Sequence, residues 1–342
     1  MAAGPLMRRL YLPAAAAIIA VVMYLVIFVG EGIDAYYRSR LVDMVHGTAW
    51  RPYVTRALVP LTARAGTALT PDAISQTLNT AFASWTWKPA TWSTSHAVEY
   101  IFVVFVMTAS LFAFQSALRR LFSETYSAGP VTPLVAALVG LVSLPAFFGP
   151  FSRQIYDFTT LWSFTLGLAL MAGGQWRAFL LLFAIATVNK ETTILLTLLF
   201  AVHFVLRRRL PLNRALVLFA AQVAIFLVIR GGIAYAFRNN PGEVVEINWE
   251  NHNKVVLLDP SLMSKRLPLL AAAAAFGAWG WRRKAPFLQD AIATLAPVLL
   301  VMGVTVGQVD EIRAYYEFYP IVIVLVADSV CRIAGRPLEA RT

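Results

Sequence analysis

Apolar positions dominate the chain in long runs, broken by short charged stretches. Ten such segments can be drawn, at roughly 10–30, 97–117, 131–149, 157–173, 178–188, 192–206, 215–230, 267–281, 290–306 and 318–331. Several hold 16–20 residues without a charge, which is the mark of a membrane-crossing helix rather than of a soluble core helix. The first run, from Leu10 to Val29, follows Met7-Arg8-Arg9 and leads into Gly30-Glu31-Gly32. It is long enough to span ~30 Å at 1.5 Å per residue. No small-residue cleavage site follows it, so it reads as a retained span and not as a signal peptide. The pattern predicts an all-α, polytopic transmembrane bundle of about ten segments, with residues 1–342 forming one integral membrane domain.

The charges assign the sides. With the N-terminus inside, the basic groups Arg8-Arg9, Arg119-Arg120, Arg177, Arg207-Arg208-Arg209 with Arg214, Arg282-Arg283-Lys284, and Arg332, Arg336 and Arg341 all fall in cytoplasmic positions. Only Glu124, Asp290, Asp328 and Glu339 accompany them, so the whole formal charge of +11 lies inside and the outside sums to zero. This satisfies the positive-inside rule at every cytoplasmic loop and puts both termini in the cytoplasm. Joining 178–188 and 192–206 into one helix would carry the Arg207–Arg209 triplet outside, so a short hairpin is expected there. Its apex is Asn189-Lys190-Glu191, which reads as an ion pair at the outer membrane boundary.

Two outer loops are long, 31–96 and 231–266, and neither is large enough to suggest a soluble domain. Within the first, Trp50–Leu69 can form an interfacial amphipathic helix, with Val54, Leu58 and Leu61 on one face and Arg56 on the other. Pro60 should kink or break it. Trp85, Trp87 and Trp92 read most simply as headgroup anchors.

Composition agrees. Of 342 residues, 59% are hydrophobic and 14% charged, against about 25% charged in soluble domains. A soluble or disordered chain is therefore excluded. The single cysteine, Cys331, excludes an intramolecular disulfide and a cysteine-rich metal site.

Candidate chemistry gathers at the outer ends of the segments. Glu31 and Asp34 stand at i and i+3 just after the first span; two solvated helix-end carboxylates are the ordinary role, a general base the functional one. Arg153, Tyr156 and Asp157 open the fourth segment. Lys190 and Glu191 cap the hairpin. Asp310-Glu311-Ile312-Arg313-Ala314-Tyr315-Tyr316-Glu317 precedes the last segment, where tyrosines and charges also serve as plain interfacial anchors. Arg153, Lys190 and Arg313 are expected to converge on one anion, with Asp157, Glu191 and Glu311 as balancing carboxylates. There is no Walker A loop. Gly30-Glu31-Gly32-Ile33-Asp34-Ala35 follows a span rather than a strand, which voids its formal match to a dinucleotide fingerprint. No H-E-x-x-H occurs, and His46, His96, His203 and His252 are scattered, so no zinc site is expected.

In order and sidedness these marks resemble the GT-C-fold bacterial membrane glycosyltransferases that use polyprenyl-phosphate-linked sugars. The marks are Asp34 after the first span, Arg51-Pro52-Tyr53-Val54-Thr55-Arg56-Ala57-Leu58-Val59-Pro60 in the first outer loop, Tyr156-Asp157-Phe158-Thr159-Thr160, Asn189-Lys190-Glu191-Thr192, and Glu311-Ile312-Arg313 before the last span. The resemblance covers the whole chain. It implies an inner-membrane enzyme that moves a sugar from the lipid donor to a glycan, lipid or protein acceptor on the extracytoplasmic side, by single displacement with inversion. It implies Asp34 as the base, with Glu31 the second candidate, and Arg56, Arg153, Tyr156, Asp157, Lys190, Glu191, Glu311, Arg313 and Tyr316 as substrate-binding residues. The chain departs from larger members in lacking a C-terminal extracytoplasmic domain and a clear acid pair beside the second outer loop, so a divalent metal stays open and no other cofactor is implied. Two other classes compete: a transporter or lipid-linked-sugar flippase, and a non-catalytic subunit of an envelope assembly.

Overall fold

The computed structural model describes residues 3–29, 33–34, 36–86, 88–89, 91–148, 154–245, 247, 260–306 and 315–341. Nearly all the regular structure is helical. The apolar segments become helices α1 (Ala3–Phe28), α5 (Ala97–Thr125), α6 (Thr132–Phe148), α7 (Asp157–Ala172), α8 (Trp176–Asn189), α9 (Ile194–Phe200, continued by a π-turn at Ala201–Leu206), α10 (Leu212–Ala236), α11 (Pro260–Ala278), α12 (Pro286–Thr305) and α13 (Tyr319–Ile333). Four of them are long and apolar enough to cross a membrane: Arg9–Phe28, Ala97–Thr125, Leu212–Ala236 and Pro286–Gly303. The expected hairpin at 178–206 forms, as two short helices joined by a 3-10 turn at Glu191–Thr193.

The centre of the bundle is α5 against α7. The two run parallel and in register. The Ser110 hydroxyl lies 3.0 Å from that of Thr159, and Gly173 lies against the Glu124 carboxylate with no room for a side chain between them. The spacing from 110 to 124 equals that from 159 to 173, so the two helices keep step along that length.

The long segment between α1 and α5 folds onto this pair as α2 (Leu41–His46), α3 (Leu58–Leu69) and α4 (Asp72–Ser84). Here the amphipathic expectation needs correcting. Pro60 neither kinks nor breaks α3, because it sits in the first turn, where its missing N–H has no partner to lose. The buried face is Val59, Pro60, Ala63 and Gly66, while Leu61 is half exposed. The small residues face inward because α3 lies close on α5: Gly66 meets the Phe102 ring, and a β-carbon there would fall 2.6 Å from it. Trp92 also departs from the anchoring expectation. It is buried and stacks on Tyr100, 4.3 Å between ring centroids and 8° from parallel. Trp85 is exposed, and Trp87 lies outside the described residues.

The residues assigned to the cytoplasm gather at one end. The Tyr11 hydroxyl bonds Gln115, and Arg119 lies over the Tyr11 ring. Strand β1 (Tyr126–Ser127), at the end of α5, pairs antiparallel with β2 (Glu339–Ala340). The Tyr126 hydroxyl accepts the Ala285 N–H at 3.2 Å. Beside it Lys284, fully buried, contacts Asp328 at 2.9 Å, and Asp328 also accepts from Arg332. Asp290 holds His203 at 2.7 Å and Arg207 at 2.9 Å. Thus three of the acids expected inside, Glu124, Asp290 and Asp328, each contact a neighbouring arginine.

Candidate functional site

The opposite end carries two polar levels. The upper one is built around Asp34. Its carboxylate is buried, with one oxygen accepting the Leu41 N–H at 2.6 Å and the other the Tyr100 hydroxyl at 2.6 Å. Asp34 thereby satisfies the first free donor of α2 and ties α2 to α5. Phe82 and Trp92 stack with the Tyr100 ring, and the Tyr100 hydroxyl also accepts the Ser93 N–H. Burial pushes the Asp34 pKa up; the Tyr100 and Leu41 bonds oppose that only in part. The carboxyl therefore lies above the usual carboxylate range, turned into the protein rather than lining an open mouth.

The lower level is assembled from five distant parts of the chain. Arg56, just before α3, donates to Glu191 at 2.6 Å and to the Tyr156 hydroxyl, and lies over the Tyr156 ring. Arg230 of α10 contacts the second Glu191 oxygen at 3.6 Å and donates to the Thr55 carbonyl and hydroxyl at 3.0 and 3.1 Å. Burial raises the Glu191 pKa, but Arg56, then Arg230 and Lys190, outweigh it and hold it at about 2. Burial likewise disfavours charge on Arg56, and Glu191 beside it more than compensates, so its pKa lies above the ordinary arginine value. Lys190 points elsewhere: it donates to Glu317 at 3.2 Å, and Thr192 donates to the same oxygen. Glu317 is fully buried, and its second oxygen has no hydrogen-bond partner among the described residues. Asn189 fastens the hairpin apex to α7 through the Tyr156 carbonyl and the Thr160 hydroxyl.

The register of α7 on α5 sets the depth of this level. Thr159 is level with Ser110, so Tyr156 is level with residue 107, seven residues beyond Tyr100. At 1.5 Å per residue the lower level lies roughly 10 Å farther along the bundle than Asp34. An aromatic bridge joins the two: Tyr36 packs on Tyr53, 5.4 Å between centroids, and Arg56 lies over Tyr53.

No protein-family model, curated protein or solved structure matches this chain. Its chemistry is read from these contacts alone.

Of the residues singled out in the sequence, Arg56, Tyr156 and Glu191 meet in one cluster, with Lys190 beside it in the chain. Asp34 stands apart at the upper level. Asp157 is buried at the start of α7, and Tyr316 is buried in the turn before α13. Glu31, Arg153, Glu311 and Arg313 lie outside the described residues. The expected apex ion pair is corrected: Lys190 and Glu191 do not pair with each other but reach separate partners, Glu317 and the two arginines. Three participants were not singled out as site residues, Tyr100, Arg230 and Glu317. Arg230 ends an apolar segment and reads as a boundary residue; Glu317 belongs to the charged, aromatic run before the last helix, which was a usable signal. Nothing near Tyr100 in sequence marks it.

Proposed function

We propose that the protein is a GT-C-type membrane glycosyltransferase taking its sugar from a polyprenyl-phosphate donor. The observation that carries this reading is the charge balance of the lower level: two guanidinium groups, Arg56 and Arg230, share the single carboxylate of Glu191. Among the described residues these two cations converge on one acid at a partly buried place, an arrangement that suits an added anion such as the donor's phosphate. Asp34, with its raised pKa, is the base. It takes the acceptor hydroxyl's proton as that oxygen attacks the anomeric carbon, the bond to the lipid phosphate breaks, and Arg56, Arg230 and Lys190 stabilise the charge developing on the leaving phosphate. The separation of the two levels, roughly 10 Å, suits a glycosyl phosphate lying between base and cations. In this reading the ten helical segments all cross the inner membrane, both termini are cytoplasmic, and the site opens to the extracytoplasmic side.

The test is transfer from a polyprenyl-phosphate sugar by the purified protein. Asp34→Asn is expected to lower the rate by ~10²–10⁴-fold with donor binding intact, and Arg56→Ala to weaken donor binding. Glu31→Gln is expected to cost less than Asp34→Asn. Near-full transfer by both carboxylate variants, or unchanged donor affinity without Arg56, would end this reading. A transporter is the second reading, favoured by the recessed and buried Lys190–Glu317 pair, since buried ionisable groups among helices are typical of substrate pathways. Uptake into proteoliposomes that depends on Glu317, without transfer, would select it.

A further inference from the structure

His46 and His96 are fifty positions apart in sequence, and the fold brings them together. His46 is the last residue of α2; His96 immediately precedes α5, and Glu99 lies in the first turn of α5. The two imidazole rings meet edge to face, 6.0 Å between centroids. His96 Nδ1 stands 3.2 Å from a Glu99 carboxylate oxygen. One donor atom from each of the three residues lies within 4.8 Å of the others. Any three atoms that close lie within about 2.8 Å of a common point, so reaching the ~2.1 Å of a zinc ligand asks each to move by less than about 1 Å. Side-chain rotation supplies that.

We propose that His46, His96 and Glu99 form a binding site for a single Zn²⁺ ion. Two imidazoles and one carboxylate are a donor set that zinc accepts with its fourth position left to water or another ligand. The burial suits the role. Glu99 is buried and fixed by α5, His96 is half-buried, and His46 is exposed, so the ion has a rigid floor and a route in from solvent. The site also has a structural consequence. Its ligands end α2 and begin α5, and these two helices supply both hydrogen bonds to Asp34, from Leu41 and Tyr100. A cation there would lock the spacing between the helices that hold that carboxylate. The proposal is independent of glycosyl transfer and stands whatever reaction the protein performs.

The experiment uses the full chain in detergent, purified without a histidine tag and stripped with EDTA. Titration with Zn²⁺ by calorimetry is expected to show one equivalent per chain at micromolar affinity or tighter, with a rise in melting temperature. Co²⁺ at the same site should give the visible absorption of a tetrahedral complex. His46→Ala removes an exposed ligand and leaves the His96–Glu99 contact in place, so its fold should persist while saturable binding and the melting shift are lost. Glu99→Gln keeps shape and is expected to weaken binding at least tenfold. It carries the test alone if His46→Ala does not fold. Absence of saturable Zn²⁺ binding in the unaltered chain, or wild-type affinity in the folded variants, overturns the proposal: the three side chains would then be an ordinary ring contact and ion pair.

Discussion

A single carboxylate shows how local surroundings set a side chain's chemistry. Asp34 is pushed towards its neutral form by burial, and the Tyr100 hydroxyl is the strongest of the groups that pull it back towards the charged form. Tyr100→Phe takes that bond away and leaves the ring stack. The Asp34 pKa should then rise further, so that ionisation, and the acid limb of any rate that needs the carboxylate, move to higher pH. Infrared difference spectra of the Tyr100→Phe protein with and without Asp34→Asn, followed against pH, would report it directly; an Asp34 band that titrates at lower pH than in the unaltered chain contradicts the assignment of the bond. In the sequence Asp34 stands out by its position after the first apolar run. Its partner does not, because Tyr100 looks like any aromatic near a membrane boundary and the contact spans 66 residues. The same distance problem hides His46 and His96, which are scattered in the chain and adjacent in space. Glu317 is different: its acidic, aromatic surroundings were visible, and only the choice among neighbouring charges was open.

Elements were far more legible than contacts. Each of the ten apolar segments corresponds to a helix, since continuous apolar runs of this length leave few other ways to satisfy the backbone. What the pattern does not give is a rotational setting. For α3, the larger apolar residues suggested a face through Leu58 and Leu61, yet the helix buries its small residues because close approach to α5 rewards the absence of side-chain bulk. Gly66→Leu should therefore cost about 1–3 kcal/mol by forcing α3 off the Phe102 ring, whereas Leu61→Ala, on the exposed side, should stay within about 0.5 kcal/mol. Melting of both variants in the same detergent checks it; a well-tolerated leucine at 66 would mean that α3 does not lie where it is described. The hairpin apex gives a companion lesson. Short spacing suggested that Lys190 and Glu191 pair, but adjacent residues at a turn point different ways, and each found a partner on another element.

For the whole molecule, alternation of apolar runs and basic loops gave a sidedness that the helix ends reproduce in relative terms. Tyr11, Arg119, Tyr126, Lys284, Arg332 and β2 share one end, while Asp34, Arg56, Glu191 and Glu317 lie towards the other. The proposed topology puts the net positive charge on the cytoplasmic side, so single cysteines at positions 46 and 208, introduced after Cys331→Ser, should behave oppositely in intact cells. An impermeant maleimide is expected to label the first and spare the second until the membrane is opened. Equal labelling of both would overturn the ten-span topology.

One small feature sets the timing of the whole. Strand β1 is complete at Ser127, but its partner begins at Glu339. At ~5–20 residues per second of synthesis, the second strand follows the first by roughly 10–40 s. The Asp34 cage, closed by Leu41 and Tyr100, needs only the first hundred residues, and the Arg56–Glu191 pair waits for the hairpin. Lys190 must wait for Glu317. Synthesis thus makes these contacts possible from the upper polar level downward: the partners of the carboxylate are complete first, those of the cations next, and those of the ribbon at the far end last.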